Sequence, residues 1–400
     1  MDIRLAAENS PDKDKWIIYL EGGGWCYGPD ADSTITNCLG RAGFATTGGI
    51  IKGEEDGDGE VPDYGGIEED GDGDVPDYGG ILSSNSTVNP DFYRWNVAFM
   101  HYCDGASFAG SRTEAIPATT KDGNPAEMFL RGRNVFDGLV SDLQTTQGMD
   151  KATEIILSGG SAGGLAVFYN LDHLAEDLVD SSVLVTGFPD AGFFMDDMDH
   201  YVVNFIGADP VWNITQGSGT NSHCLEAYDA DERWKCLLAP YLIEHIQCNL
   251  YVINSAYDAW QLSNNDVGCF KVPGDDTCDD DSDVQAYGAS LKTRLIDGFD
   301  RKVPSHNGAF LSSCYVHSQN VNYCSTQDMP NCVGWDPAES GSIKWGHSTS
   351  VGGVTPQQAF GDYYFGRGGE DEESYMKIDY HNLQENESCL YKGLPSRAQD

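Results

Sequence analysis

Short apolar runs alternate along this chain with longer stretches of mixed polarity. Residues 16–20 and 97–102 read as buried strands, as do 155–157, 183–185, 250–253 and 309–311. Between them, residues 126–143, 165–178 and 284–299 carry apolar side chains at helical spacing. Runs that are apolar throughout, rather than alternating, are the mark of strands covered on both faces. The succession of strand and helix predicts an α/β fold, a mostly parallel sheet with helices on both faces. Length and pattern are read as one domain over residues 1–400, with a polar, peripheral tail over 366–400.

One segment breaks the pattern. Residues 54–67 are repeated almost unchanged at 68–81, with only Glu60 against Asp74 different. So recent a duplication is expected as an acidic loop inserted at the surface, over 53–81. Each copy resembles the first half of a calcium loop, with Asp56 and Asp58, then Asp70 and Asp72, as oxygen ligands. The position that should hold a bidentate glutamate is Gly65 or Gly79, so a flexible acidic loop is the default.

Composition narrows the class. Hydrophobic residues make up 40% of 400, enough for a sizeable core, yet no stretch approaches a membrane span. The N-terminus lacks the apolar core of a signal peptide. Twelve dispersed cysteines without C-x-x-C spacing speak against a zinc or thioredoxin-type site and for disulfides of a secreted protein. Residues 267–283 read as a disulfide-pinned loop with Cys269 and Cys278. Sequons at Asn85, Asn213 and Asn386 agree with secretion. The net charge of −41 should repel nucleic acid and anionic membranes. Removing both repeat copies, with their twelve acidic residues, would still leave −29.

Candidate chemistry centres on Gly159-Gly160-Ser161-Ala162-Gly163. A serine between an apolar strand and a helix, flanked by glycines, presents its hydroxyl above a sheet as a nucleophile. An oxyanion hole is expected from Gly23 and Gly24, directly after the first strand, together with the N–H of Ala162. Nine histidines compete for the base. Asp258 follows the strand at 250–253, and His317 follows that at 309–311; both placements suit a triad. His306, His347 and His381 also come late but lack a preceding apolar strand.

Seven segments, in order, resemble the pectin acetylesterase and Notum family of secreted α/β-hydrolases. They are YLEGGGWC at 19–26, YCDGASF at 102–108, LSGGSAGG at 157–164, DAGFF at 190–194, NSAYDAWQ at 254–261, SCYVH at 313–317 and GDYYF at 361–365. The YCDGASF segment leans to the pectin acetylesterase branch. The resemblance implies an α/β-hydrolase fold without cofactor or metal, a Ser161–Asp258–His317 triad, and oxyanion donors at Gly23, Gly24 and Ala162. It also implies a cysteine-containing segment before the first matching strand. Its absence suggests an N-terminally truncated chain, with Cys103 left without its family partner.

The expected function is removal of O-acetyl groups from an extracellular, pectin-like polysaccharide through an acyl-enzyme. Pectin is itself a polyanion, so cations would have to screen or bridge the two, whereas neutral acetylated glycans avoid the repulsion. Two alternatives stand beside this reading: a Notum-like deacylase acting on a longer acyl chain of a protein, and an inactive calcium-dependent binding module.

Overall fold

Five consecutive residues of β2 (Lys15–Leu20) are buried, and they divide between two cores. Trp16, Ile18 and Leu20 point into one, and Ile17 and Tyr19 into the other. Period-two alternation delivers this in any strand; what marks a central strand is that both faces find cover. The computed structural model describes residues 1–41, 50–52, 78–119, 125–196, 199–264, 282–302, 306–320, 349–367, 375–383 and 385–389. The acidic repeat up to residue 77, with its four candidate calcium ligands, and the loop at 267–281 lie outside the described residues.

The strands in chain order are β1 (Asp2–Arg4), β2, β3 (Ile50–Lys52), β4 (Asn96–Met100), β5 (Ile116–Thr119), β6 (Pro125–Phe129), β7 (Glu154–Gly160), β8 (Leu184–Asp190), β9 (Asn249–Ser255), β10 (Asn307–Ser312) and β11 (Met376–Ile378). Eight of them form one sheet in the order β1-β4-β2-β7-β8-β9-β10-β11, and β3, β6 and β5 form a small second sheet. In the large sheet only β1 runs antiparallel. The helices are α1 (Ala31–Arg41), α2 (Gly132–Thr146), α3 (Ala162–His173), α4 (Asp199–Trp212), α5 (Ser222–Ala227), α6 (Ala239–Leu242), α7 (Ala259–Asn264), α8 (Ser282–Arg301) and α9 (Pro356–Tyr364). Residues of α2, α3 and α8 fill the core on one face of the sheet. On the other face Ala359, Phe360 and Tyr363 of α9 pack with Leu82, Phe92 and Trp95.

The α/β architecture and the mostly parallel sheet agree with the sequence pattern, and three boundaries differ from it. The helix expected over 126–143 is a strand, β6, followed by α2. Pairing with β5 claims residues 125–128 and pairing with β3 adds Phe129, and the change falls near Gly132, where a Cβ would lie 2.0 Å from Asp104 Oδ2. The strand at 183–185 runs on to Asp190 through Gly187 and Pro189, which hid it from hydropathy. The stretch from 366 is not wholly peripheral. Its β11 pairs parallel to β10, and Cys389 is bonded to Cys314. Two further disulfides join Cys26 to Cys38 and Cys224 to Cys236, while Cys103 and Cys248 carry none. Among the described residues no helix is long and apolar enough to cross a membrane.

Candidate active site

The nucleophile candidate sits where backbone crowds backbone. Leu20 of β2 is in register with Gly159 of β7, and α3 starts directly beyond. A Cβ on Gly163 would lie 2.0 Å from Leu20 O, and one on Gly159 would lie 2.4 Å from Gly163 O. Neither obstacle is a side chain that could swing away, so both positions of the motif exclude any larger residue. The chain turns from strand to helix at Ser161 itself, with φ 58° and ψ −124°. For a residue with a Cβ that region is sparsely populated and costs on the order of 1–3 kcal/mol. Ser161 N–H donates to Asp190 O at 2.9 Å, and Ser161 O accepts from Leu165 N at 3.0 Å, which anchors the turn on both sides. Ala162 is the first residue of α3, so its N–H lies outside the helix's own ladder, at the positive end of the helix dipole.

The glycine loop after β2 passes beside this serine. A Cβ on Gly22 would stand 3.0 Å from Ser161 Cβ. Gly23 and Gly24 take φ values of 142° and 69°. Their carbonyls are held from outside. Arg41 Nη2 donates to Gly23 O at 2.6 Å, and Tyr102 Oη donates to Gly24 O at 3.0 Å. In a trans peptide the N–H points opposite to the carbonyl, so each bond also aims the next residue's N–H. The Cys26–Cys38 disulfide fastens the loop to α1, which carries Arg41. Glu21 Oε2 accepts from Tyr102 N at 2.8 Å, Trp25 Nε1 donates to Ser107 Oγ at 2.6 Å, and Cys26 N donates to Gly105 O at 3.0 Å. The YCDGASF segment is thus the brace of the glycine loop. Its members Tyr102 and Ser107, and Arg41, were not singled out for any role in the sequence; only the tertiary contacts assign one.

The acid and base candidates meet. Asp258 Oδ2 lies 2.8 Å from His317 Nδ1, the ring N–H donating to the carboxylate. Asp258 is fully buried, and its Oδ1 accepts from Gln261 N at 2.9 Å, capping α7. Backbone pairing between Asp258 and Val316 brings the two loops together. His306 and His381 are engaged elsewhere: His306 stacks on Tyr363, and His381 bonds Asp379 at 2.6 Å. His347 lies outside the described residues.

Aromatic rings crowd this end of the sheet. Trp25 meets Phe194, Phe205 and Trp260 edge-on, with centroids 4.8, 5.1 and 5.5 Å apart. Phe194 and Trp260 in turn flank the His317 ring, at 6.5 and 6.4 Å. A mixed cluster of Asp172, Glu176 and His223 on the far side of α3 has metal-ligand chemistry. Asp172 there already accepts from Asn221 Nδ2, Gln247 N and Cys248 N, which makes it a structural anchor. Of the three sequons only Asn85 is exposed. Asn213 Nδ2 turns inward to Ser111 O at 3.4 Å, and Asn386 Nδ2 donates to Ser350 O at 2.9 Å.

A parallel sheet with a strained serine turn at the end of a central strand defines an α/β-hydrolase fold. The pectinacetylesterase family model matches residues 74–390, and the chain belongs to that family of carboxylic ester hydrolases. Pectin acetylesterase 11 of Arabidopsis thaliana is 28% identical over 388 residues, covering 94% of this chain and 83% of its own. The palmitoleoyl-protein carboxylesterase NOTUM of Mus musculus is 25% identical over 264 residues, covering 63% of this chain and 46% of its own. The structure of the Wnt deacylase Notum from Drosophila superposes with a TM-score of 0.64 over 97% of this chain and 93% of that one, at 21% identity.

Proposed function

We propose that this protein removes O-acetyl groups from an extracellular polysaccharide, with Ser161 as nucleophile, His317 as base and Asp258 as orienting acid. The reading rests above all on the pairing of buried Asp258 with His317 at the same end of the sheet as the strained Ser161 turn. His317 takes the proton from Ser161 as its oxygen attacks the ester carbonyl. Asp258 holds the ring through Nδ1 and stabilises the imidazolium that results. The N–H groups of Gly23, Gly24 and Ala162 stabilise the tetrahedral oxyanion. The imidazolium then protonates the departing sugar oxygen, which leaves as a free hydroxyl, and water, activated by the same ring, hydrolyses the acyl-enzyme.

An acetyl group fits better than a long acyl chain. Aromatic rings pack closely beside His317 and most of them are fully buried, which supports a small acyl group. In sequence, pectin acetylesterase 11 matches 94% of this chain against 63% for the NOTUM of Mus musculus, which favours the same side. Disulfides suit an oxidising, extracellular setting.

Ser161→Ala decides the nucleophile. Turnover of p-nitrophenyl acetate should fall at least about 10³-fold with the fold retained. Substantial remaining turnover would reject the assignment. A series of esters from acetate to palmitate then tests the acyl group, with activity confined to acetate and propionate expected. Acetate release from acetylated pectin and from a neutral acetylated glycan, each across a salt series, separates the two polysaccharide classes.

A further inference from the structure

Asp190, the last residue of β8, touches both halves of the proposed machinery. Its backbone oxygen accepts from Ser161 N at 2.9 Å. Its carboxylate Oδ2 accepts from Gln319 N, and from Asn320 N at 2.8 Å. These are the second and third residues after His317. The segment they belong to is buried, with Ser318, Gln319 and Asn320 at 6%, 1% and 0% exposure. It is sewn down further by Asn320, whose Nδ2 donates to Ser158 Oγ at 3.1 Å and whose carbonyl accepts from Ile81 N at 3.0 Å.

A neutral side chain could supply one acceptor for two backbone N–H groups. A carboxylate in this place is costly. Asp190 is fully buried, and among the described residues its Oδ1 has no hydrogen-bond partner. Burial pushes its carboxyl up to about 6, against the pull of the two backbone N–H groups. The titratable groups whose charges it feels are His317, on the loop after β10, and Asp258, on the loop after β9. A negative charge near His317 favours the imidazolium formed when the ring takes the serine proton.

We propose that Asp190 is a positioning residue for the reaction, a carboxylate that fixes the His317 loop in register with Ser161 and favours the charged form of the base. The inference rests on the triad reading above. It also makes activity depend on a second proton. Below about pH 6 Asp190 becomes neutral, its grip on Gln319 and Asn320 weakens, and turnover falls; above that pH the carboxylate is charged and the grip is complete.

The full chain and p-nitrophenyl acetate suffice for the test. Asp190→Asn keeps the volume and one acceptor but removes the charge. At pH 8 its kcat should fall at least about tenfold with KM within about twofold of the parent, and its melting temperature should stay within a few degrees. The acid limb of kcat/KM should approach a slope of two in the parent and of one in the variant. The parent's own limb needs no folded variant: a slope of one there overturns the proposal, as does a variant kcat within about threefold of the parent. Ser161→Ala, measured in parallel, separates the failures. Turnover that survives in Ser161→Ala removes the nucleophile reading itself. An inactive Ser161→Ala beside an unaffected Asp190→Asn removes only the role of Asp190.

Discussion

The two sides of the site are held in place by different physics. At the ends of β2 and β7, position is steric: Leu20 O, Gly159, Gly163 and Gly22 approach so closely that missing side chains set the geometry. At the ends of β9 and β10, position is polar and long-range. Asp258 and His317 are 59 residues apart, and their loops are joined by the bond from Ser255 Oγ to Cys314 O and by backbone pairing at Val316, while the Cys314–Cys389 disulfide ties the His317 side to the C-terminal stretch. Adding a side chain at the glycines of the steric side should therefore break the fold, whereas the polar side can lose function while the fold survives.

The largest expected effect is on the steric side. Gly163→Ala places a Cβ 2.0 Å from a backbone oxygen, and we expect a loss of about 4 kcal/mol or more, seen as little folded protein or a collapsed thermal transition. Gly40→Ala in α1 meets nothing within 4 Å and should gain up to about 1 kcal/mol in the same melt. Equal stability of the two variants would break the steric account. On the polar side, Asp258→Asn should lower kcat for p-nitrophenyl acetate by about 10³- to 10⁴-fold and leave the circular dichroism spectrum intact. A variant that unfolds instead would erase the contrast between the two sides.

Cys314→Ser probes the covalent tie. The bond closes a loop with sequence separation 75, so the chain-entropy estimate of its contribution is about 4 kcal/mol, an upper figure. Urea unfolding should show a loss of that order, with a fall in kcat because the residue lies three before His317. Unchanged kcat in the folded variant would free the base from the disulfide. The smallest effect concerns His101, beside the glycine loop, 2.9 Å from Asp2 Oδ2 and 3.5 Å from Glu21 Oε2. Hydrogen bonds to these carboxylates raise it from 6.5 to about 9. The folded state therefore holds the proton more tightly. The stabilisation is complete below about pH 6.5 and is lost as pH rises through about 9. His101 is 46% exposed at its side chain, so solvent screening keeps this below about 1 kcal/mol. His101→Gln should flatten melting temperature against pH across that window; an unchanged slope would remove the His101 bonds to Asp2 and Glu21 as a source of stability.

Much of the nucleophile side was legible in the chain. The apolar run into Gly159, the serine and the helical spacing after it are local, and local geometry needs only neighbours in sequence. By residue pattern alone the acid and base were legible only as two candidates each following a strand, because nothing local joins residue 258 to residue 317; the family resemblance supplied their pairing. β6 was misread as helix because its strand state comes from β5, and β11 was missed because three half-buried residues carry no hydropathy signal. The roles of Arg41, Tyr102 and Asp190 left no trace in periodicity, since each acts through a bond to a distant backbone group.

By itself the sequence determined the sheet-and-helix class, the strand-to-helix turn at Ser161 and the resemblance that pointed to an ester hydrolase, all of which depend on short-range pattern. Tertiary structure alone supplied the contact between Asp258 and His317 and the direction in which the peptides of Gly23 and Gly24 face. It also decided that the end of β8 reaches both the Ser161 turn and the loop after His317. Those are relations between separate strand ends, and they exist only once parallel pairing has placed the ends side by side.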